Sequence, residues 1–201
     1  MPGSLAIVST PAAMTPVPVT LDERFRAAAA GSGLLDVAFD VFEDTPVGPL
    51  LVGVTDHGVC RITFDPDPEL ELERLARLYG PRVLRSFRPA ERLHRELDEY
   101  FAGRRRAFDL ELDLRVAPEY HRRVLAELTR VEYGHTTTYG ALAARTGNPR
   151  AARAVGTVMN RNPVPIVLPC HRVVGANGSL TGYGGGLDRK ELLLRLEGAI
   201  L

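Results

Sequence analysis

Cysteine is scarce in this chain: its 201 residues include two, Cys60 and Cys170, far apart in sequence. Two such residues make no disulfide framework, and no Cys/His spacing matches a zinc site. The expectation is a reducing, intracellular setting with no bound metal. Long apolar runs are missing too, since none reaches the roughly 18 residues that a membrane-spanning helix needs. No Lys or Arg precedes Arg24, so the positive start of a secretory signal is absent. A cytoplasmic chain without membrane contact is the simplest expectation. Net charge is absent as well, because 25 basic side chains balance 25 acidic ones. That balance hides a local asymmetry. Between Tyr133 and Leu187 there is no Asp or Glu, while Arg145, Arg150, Arg153, Arg161 and Arg172 all fall inside. A polyanionic partner is one reading of this window, and a Gly/Pro-rich segment that merely lacks charge is the other.

What the chain does have is a 45% hydrophobic content, enough for a core in one domain or two small ones. Residues 1–33 are rich in Ala, Pro, Thr, Ser and Gly and read as a flexible tail, with one helical turn near Leu21–Ala30. Residues 34–114 read as an N-terminal α/β lobe. Its predicted strands are Leu35–Glu43, Leu50–Thr55, Val59–Phe64, a short Val83–Phe87 and the alternating Phe108–Leu114, with amphipathic helices over Pro68–Tyr79 and Pro89–Phe101. Cys60 falls mid-strand and reads as a buried, inert thiol.

Residues 115–201 form a different object. Pro118–Val131 reads as a helix, Thr138 can cap a short helix Tyr139–Arg145, Thr146-Gly147 breaks it, and Asn148-Pro149 opens a helix from Arg150 to about Arg161. Helix, tight turn, helix is the skeleton of a helix-turn-helix, although many helical hairpins share it. The second helix starts with small residues and two arginines, which lets its backbone approach another surface closely. After Cys170 comes a glycine-rich loop through Gly186 that holds Tyr183, then a helix from Asp188 to Glu197. The loop lacks Walker spacing, so backbone hydrogen bonding to a flat ligand is the better reading.

The chemistry centres on Pro169-Cys170-His171-Arg172-Val173. A histidine and a cation beside a cysteine can lower a free-thiol pKa of about 8.5 and produce a nucleophilic thiolate. Arg172 reads equally well as a phosphate contact or a structural ion pair. Lys190, the only lysine, reads as a site residue or as a plain helix-face residue.

These segments together resemble one family. Arg153-Ala154-Val155-Gly156, Asn162-Pro163, Pro169 to Val173, Gly182-Tyr183-Gly184-Gly185-Gly186 and Lys190 through Leu194 to Glu197 are similar to motifs of the O6-alkylguanine-DNA alkyltransferases, or methylated-DNA–protein-cysteine methyltransferases. The likeness is close from Tyr120 to Gly198 and loose from Leu35 to Leu114, where Pro46-Val47-Gly48-Pro49-Leu50 carries it. It implies an α/β (α+β) fold: a small lobe with an RNase H-like three-stranded sheet, then a mostly helical domain with a winged helix-turn-helix. It implies a DNA repair protein that moves the alkyl group of O6-alkylguanine, and of O4-alkylthymine, in duplex DNA onto Cys170 once, with no cofactor.

In that scheme His171 acts through a water as the base and Glu197 polarises it. Tyr139 turns the target phosphate and donates to the guanine ring, and Asn162 braces the turn before the cysteine. Arg153 fills the space left by a flipped base, and Ala151, Ala152, Ala154, Arg150 and Arg172 meet the DNA, the second helix entering the minor groove. Val173, Tyr183, Gly184 and Lys190 line the pocket. The protein is expected to be a monomer, with cooperativity on DNA left open.

The chain departs from the family in places. Tyr120-His121-Arg122-Arg123-Val124-Leu125 stands where the family usually opens a helix with Phe-Gln-x-x-Val-Trp, and Gly184 stands where some relatives have serine. A DNA-binding regulator without catalysis and a cysteine hydrolase are the competing readings. The first is disfavoured by the presence of Cys170, His171 and Glu197, and the second by the lack of an oxyanion-hole motif.

Overall fold

Alternation along Leu50-Leu51-Val52 puts Leu50 and Val52 on one face of a strand and Leu51 on the other, and both faces are buried. A strand apolar on both faces needs cover on both sides, and this requirement sets the architecture of the first lobe. The computed structural model describes residues 19–201. Strands β1 (Val37–Phe42), β2 (Leu50–Thr55), β3 (Gly58–Phe64) and β4 (Val83–Arg85) form one sheet in the order β3-β2-β1-β4. β1, β2 and β3 pair antiparallel, and β4, the short strand expected from Val83, joins β1 in parallel beside the three strands that the resemblance implied. Helix α2 (Pro68–Tyr79) covers one face, where Leu75 packs with Val37, Leu51 and Cys60. Asp67 caps it by accepting from the Leu70 N–H at 3.3 Å.

The other face meets α3 (Glu91–Phe101), whose Leu93, Leu97 and Tyr100 enter a core shared with the second half of the chain. That core includes Val124, Leu125 and Leu128 of α4 (Glu119–Leu128), Leu142 and Ala143 of α5 (Tyr139–Arg145), and Val155 and Val158 of α6 (Ala152–Asn160). It also includes Leu193 of α7 (Leu187–Leu196), so one apolar cluster crosses both halves. Two-residue strands β5 (Thr137–Thr138) and β6 (Val173–Val174) pair in parallel and tie the start of α5 to the segment after Cys170.

Three expectations change. A helix α1 (Val19–Gly31) replaces the single turn expected in the tail, closed by the Ser32 N–H to Ala28 carbonyl bond at 3.0 Å; the tail before Val19 lies outside the described residues. Phe108–Leu114 is not a strand. It pairs only at Val59, through two backbone bonds of 2.9 Å, and Asp113 then turns inward to accept from the Thr55 hydroxyl at 2.7 Å. Helix α6 begins at Ala152 and not Arg150, because the Asn148 side chain accepts from the Arg150 N–H at 3.1 Å and holds residues 148–151 in a turn.

Candidate active site

The loop from Asn162 to Cys170 is built to present a sulfur. Ile166 is fully buried at φ 75, a left-handed conformation that a β-branched residue adopts only under constraint. Pro169, at φ −80 and ψ 62, makes an inverse γ-turn closed by the Cys170 N–H to Leu168 carbonyl bond at 2.8 Å. Cys170 then opens a 3₁₀ turn through Arg172. Asn162 ties the loop together: its Nδ2 donates to the Leu168 carbonyl at 2.8 Å and to Cys170 Sγ at 3.1 Å, while its Oδ1 accepts from the Val164 N–H at 3.1 Å.

His171 points away from this loop towards the end of α7, where its Nε2 lies 2.8 Å from Glu197 Oε1. Glu197 is crowded with donors. Arg172 grips it with Nε on Oε2 and Nη2 on Oε1, both at 2.8 Å, and the Tyr100 hydroxyl donates to Oε1 at 2.7 Å. These bonds and the Arg172 charge hold the Glu197 carboxyl down at about 2 despite its burial. An ionised carboxylate only accepts, so His171 Nε2 carries the proton and its Nδ1 holds the free lone pair. That Nδ1 is buried and has no hydrogen-bond partner among the described residues. Burial lowers the His171 pKa and outweighs the Glu197 charge, which favours neutral imidazole.

The thiol contradicts one expectation. Burial pushes Cys170 up to about 11, against the opposing pull of the Asn162 donor and the Lys190 charge, so at rest it is a protonated thiol and not a thiolate. Arg172 also needs correction as a DNA contact, because it is buried on Glu197 and donates to the Val131 carbonyl at 2.6 Å. Of its two sequence readings, the structural ion pair is the one observed.

Lys190 is fully buried and staples the glycine loop to the cysteine turn, donating to the Val173 carbonyl at 2.6 Å and the Thr181 carbonyl at 2.8 Å. Tyr139, at the start of α5, donates to the same loop at the Thr181 carbonyl, 2.9 Å. Gly185 has no room for a side chain: a Cβ there would lie 2.7 Å from the Phe64 ring. A Cβ at Gly184 would meet nothing closer than the Asn160 carbonyl at 3.6 Å, so the pocket accepts serine or glycine there.

A cavity of about 690 Å³ opens onto Cys170 between the halves of the molecule, with Asn162, Met159, Tyr183, Gly184 and Phe64 on its walls. Beside it, α5 and α6 stand as a helix-turn-helix, with the Thr138 hydroxyl capping α5 on the Ala141 N–H at 3.1 Å. On α6, Val155, Val158 and Met159 face the core, while Arg153 and Ala154 are exposed, as is Arg150 in the preceding turn. Ala151 and Ala152 are half-buried. Arg153 makes no ion pair or side-chain hydrogen bond among the described residues. No group of His, Cys, Asp and Glu among them could hold a metal ion, and no helix is long and apolar enough to cross a membrane.

Sequence reasoning missed Tyr100, a first-lobe residue 97 positions from its Glu197 partner. No local pattern announces a contact at that range. For Arg172 an ion pair was one of the two readings, but its partner Glu197, 25 positions away, was not named.

Fold and site together define a class: a two-part protein with a sheet lobe and a helix-turn-helix body, carrying a buried thiol beside a His-Glu pair. The comparisons agree with this class. Residues 119–199 match the DNA-binding domain of 6-O-methylguanine DNA methyltransferase, and residues 41–114 match its ribonuclease-like domain. A Methanosarcina acetivorans methylated-DNA–protein-cysteine methyltransferase is 42% identical over 172 residues, 80% of this chain and 98% of the relative. One from Mycolicibacterium paratuberculosis is 46% identical over 154 residues, 77% of this chain and 88% of the relative. The crystal structure of Mycobacterium tuberculosis OGT in complex with DNA superposes with a TM-score of 0.70 at 36% identity, covering 81% of this chain and 94% of that one. The chain belongs to the 6-O-methylguanine DNA methyltransferase family.

Proposed function

We propose that this protein repairs alkylated duplex DNA by taking the alkyl group from O6 of guanine, and from O4 of thymine, onto Cys170, once per molecule. The observation that carries the reading is the buried array of Asn162, Cys170, His171 and Glu197, seated on a cavity beside a helix-turn-helix. Relatives named for methyl transfer from DNA to a protein cysteine, and a homologous structure with DNA bound, support it.

Cys170 is 4% exposed, so a base in a stacked duplex is out of its reach. The target nucleotide therefore leaves the stack and enters the cavity, at a cost of a few kcal/mol. Arg153 and the small residues of α6 approach the minor groove, and the guanidinium takes the vacated space. Within the cavity, neutral His171 accepts the thiol proton on Nδ1 through a bridging water, and the ionised Glu197 stabilises the imidazolium that forms. The sulfur attacks the alkyl carbon, a C–S bond forms and the C–O bond breaks. Its electron pair moves into the purine, where the Tyr139 hydroxyl donates a hydrogen bond to a ring nitrogen as charge builds; the purine then takes a proton from water, and the imidazolium returns its own to water. The protein needs no cofactor, because the substrate supplies the transferred group. The thioether has no ready leaving group, so nothing restores the thiol.

Asn162 stabilises the sulfur as it becomes anionic, through a donor already in place at 3.1 Å. A buried resting thiol spares the nucleophile from oxidation and from stray electrophiles until a base fills the site. Intact-mass measurement after mixing with a duplex that carries O6-methylguanine tests the proposal. The expected result is one added methyl, mapped to Cys170 and lost in Cys170→Ser. A methyl that persists in that variant would overturn the assignment.

A further inference from the structure

Tyr100 belongs to α3 of the first lobe, yet its side chain ends in the proton-handling array of the second. The residue is 0% exposed, and its ring sits among Phe101, Phe108 and Tyr133, with centroids 5.5, 5.3 and 6.1 Å away. This packing leaves the hydroxyl one direction, to Glu197 Oε1 at 2.7 Å. The same oxygen accepts from His171 Nε2 and from Arg172 Nη2, each at 2.8 Å. The other oxygen takes Arg172 Nε at 2.8 Å and the Gly134 N–H at 3.4 Å.

We propose that Tyr100 is a positioning residue for alkyl transfer: by holding Glu197 Oε1 it aims the carboxylate at His171 and spreads its charge, so that the imidazole stays neutral and Nδ1 remains a base. The inference rests on the reading of His171 as the base. Its physics is simple. A carboxylate oxygen shared among three donors attracts a proton less than one shared between two. Without the Tyr100 hydroxyl, Glu197 would favour imidazolium more strongly, and a protonated His171 accepts nothing from Cys170.

The other charged or titratable groups around the pair are Arg172 from the 3₁₀ turn, Lys190 from α7, Tyr133 from the segment after α4, and Cys170 itself. Arg172 and Lys190 both oppose a charge on His171, and neither changes when Tyr100 does. Tyr100 thus makes the first lobe part of the reaction and not only a support for the second.

The test is Tyr100→Phe in the full chain, which keeps the ring and removes only the hydroxyl. The single-turnover rate of methyl transfer from an O6-methylguanine duplex is measured across pH, alongside thermal melting and affinity for the unmodified duplex. Expected are an acidic limb moved to higher pH by about one unit, the worth of one hydrogen bond to a charged group, and so an about tenfold slower transfer on that limb that fades at alkaline pH. Affinity stays near that of the parent chain, and melting falls by no more than the several degrees that one buried hydrogen bond accounts for, so the variant is folded at the assay temperature. In a Glu197→Gln background the same substitution adds no further loss. A pH profile that superimposes on the parent's, or a loss of equal size at every pH, would overturn the proposal. If the parent chain itself transfers no methyl group, it is the reading of the function that fails.

Discussion

Burying Cys170, His171, Arg172 and Glu197 in one cluster couples the reaction to the stability of the fold. Glu197 is held at about 2, well below the ordinary 4.5, so folding is favoured above 4.5 and that contribution is lost as pH falls through the folded value. It amounts to about 3 kcal/mol at neutral pH. His171 works in the same direction for another reason. Its pKa is lowered from 6.5 by burial, so below that pH the unfolded chain binds a proton that the folded chain refuses. The urea midpoint of the free protein is therefore expected to fall in two stages on acidification, the first beginning near pH 6.5 and the second between 4.5 and 2. His171→Gln should remove the first stage and leave the second. A midpoint flat from pH 7 to 5 in the parent chain would contradict the buried neutral imidazole. The identity of these residues was legible in sequence, because cysteine, histidine and the final glutamate stand in a recognisable order. Their charge states were not, because they depend on burial and on Tyr100 and Arg172, whose contacts span long stretches of chain.

At the scale of elements, local signals decided what could be read. Helix α2 opens at Pro68 after its Asp67 cap, and α5 opens after Thr138, where a side chain and a backbone N–H announce the boundary. Strands β5 and β6 have two residues each, too few for an alternation to show, and their pairing is known only from the fold. Yet that pairing joins the helix-turn-helix to the cysteine turn, with Thr137 opposite Val173 and Thr138 opposite Val174. The helix-turn-helix and the cysteine turn are thereby held in one register. In the proposed function helix α6 meets DNA through Arg153, which is exposed and uncommitted to any ion pair among the described residues. Arg153→Ala is expected to slow transfer from duplex DNA about 10- to 100-fold, as flipping loses its support, and to leave the reaction with free O6-methylguanine base unchanged. Rates on both substrates, measured by single-turnover assay, check this. An equal loss on both would assign Arg153 to the pocket and not to the duplex.

Across the whole molecule, the two halves share a core and meet around the reacting sulfur. The Ile62 N–H of β3 donates to the Pro163 carbonyl at 2.8 Å, so the sheet edge braces the loop that carries Cys170. Arg189 of α7 reaches back to Asp65 at 2.6 Å and lies over the Phe64 ring, whose neighbour Tyr183 walls the cavity. The sulfur is thus braced from both halves and reached from the cavity side. In the proposed function the protein is consumed by its own reaction. Incubating it with a large excess of duplex containing O6-methylguanine, and counting restored guanines per chain over time, tests that claim most directly. The expected course is a rise that stops at one guanine per chain with Cys170 methylated, and guanine that continues to accumulate beyond one equivalent would show that the protein is not consumed.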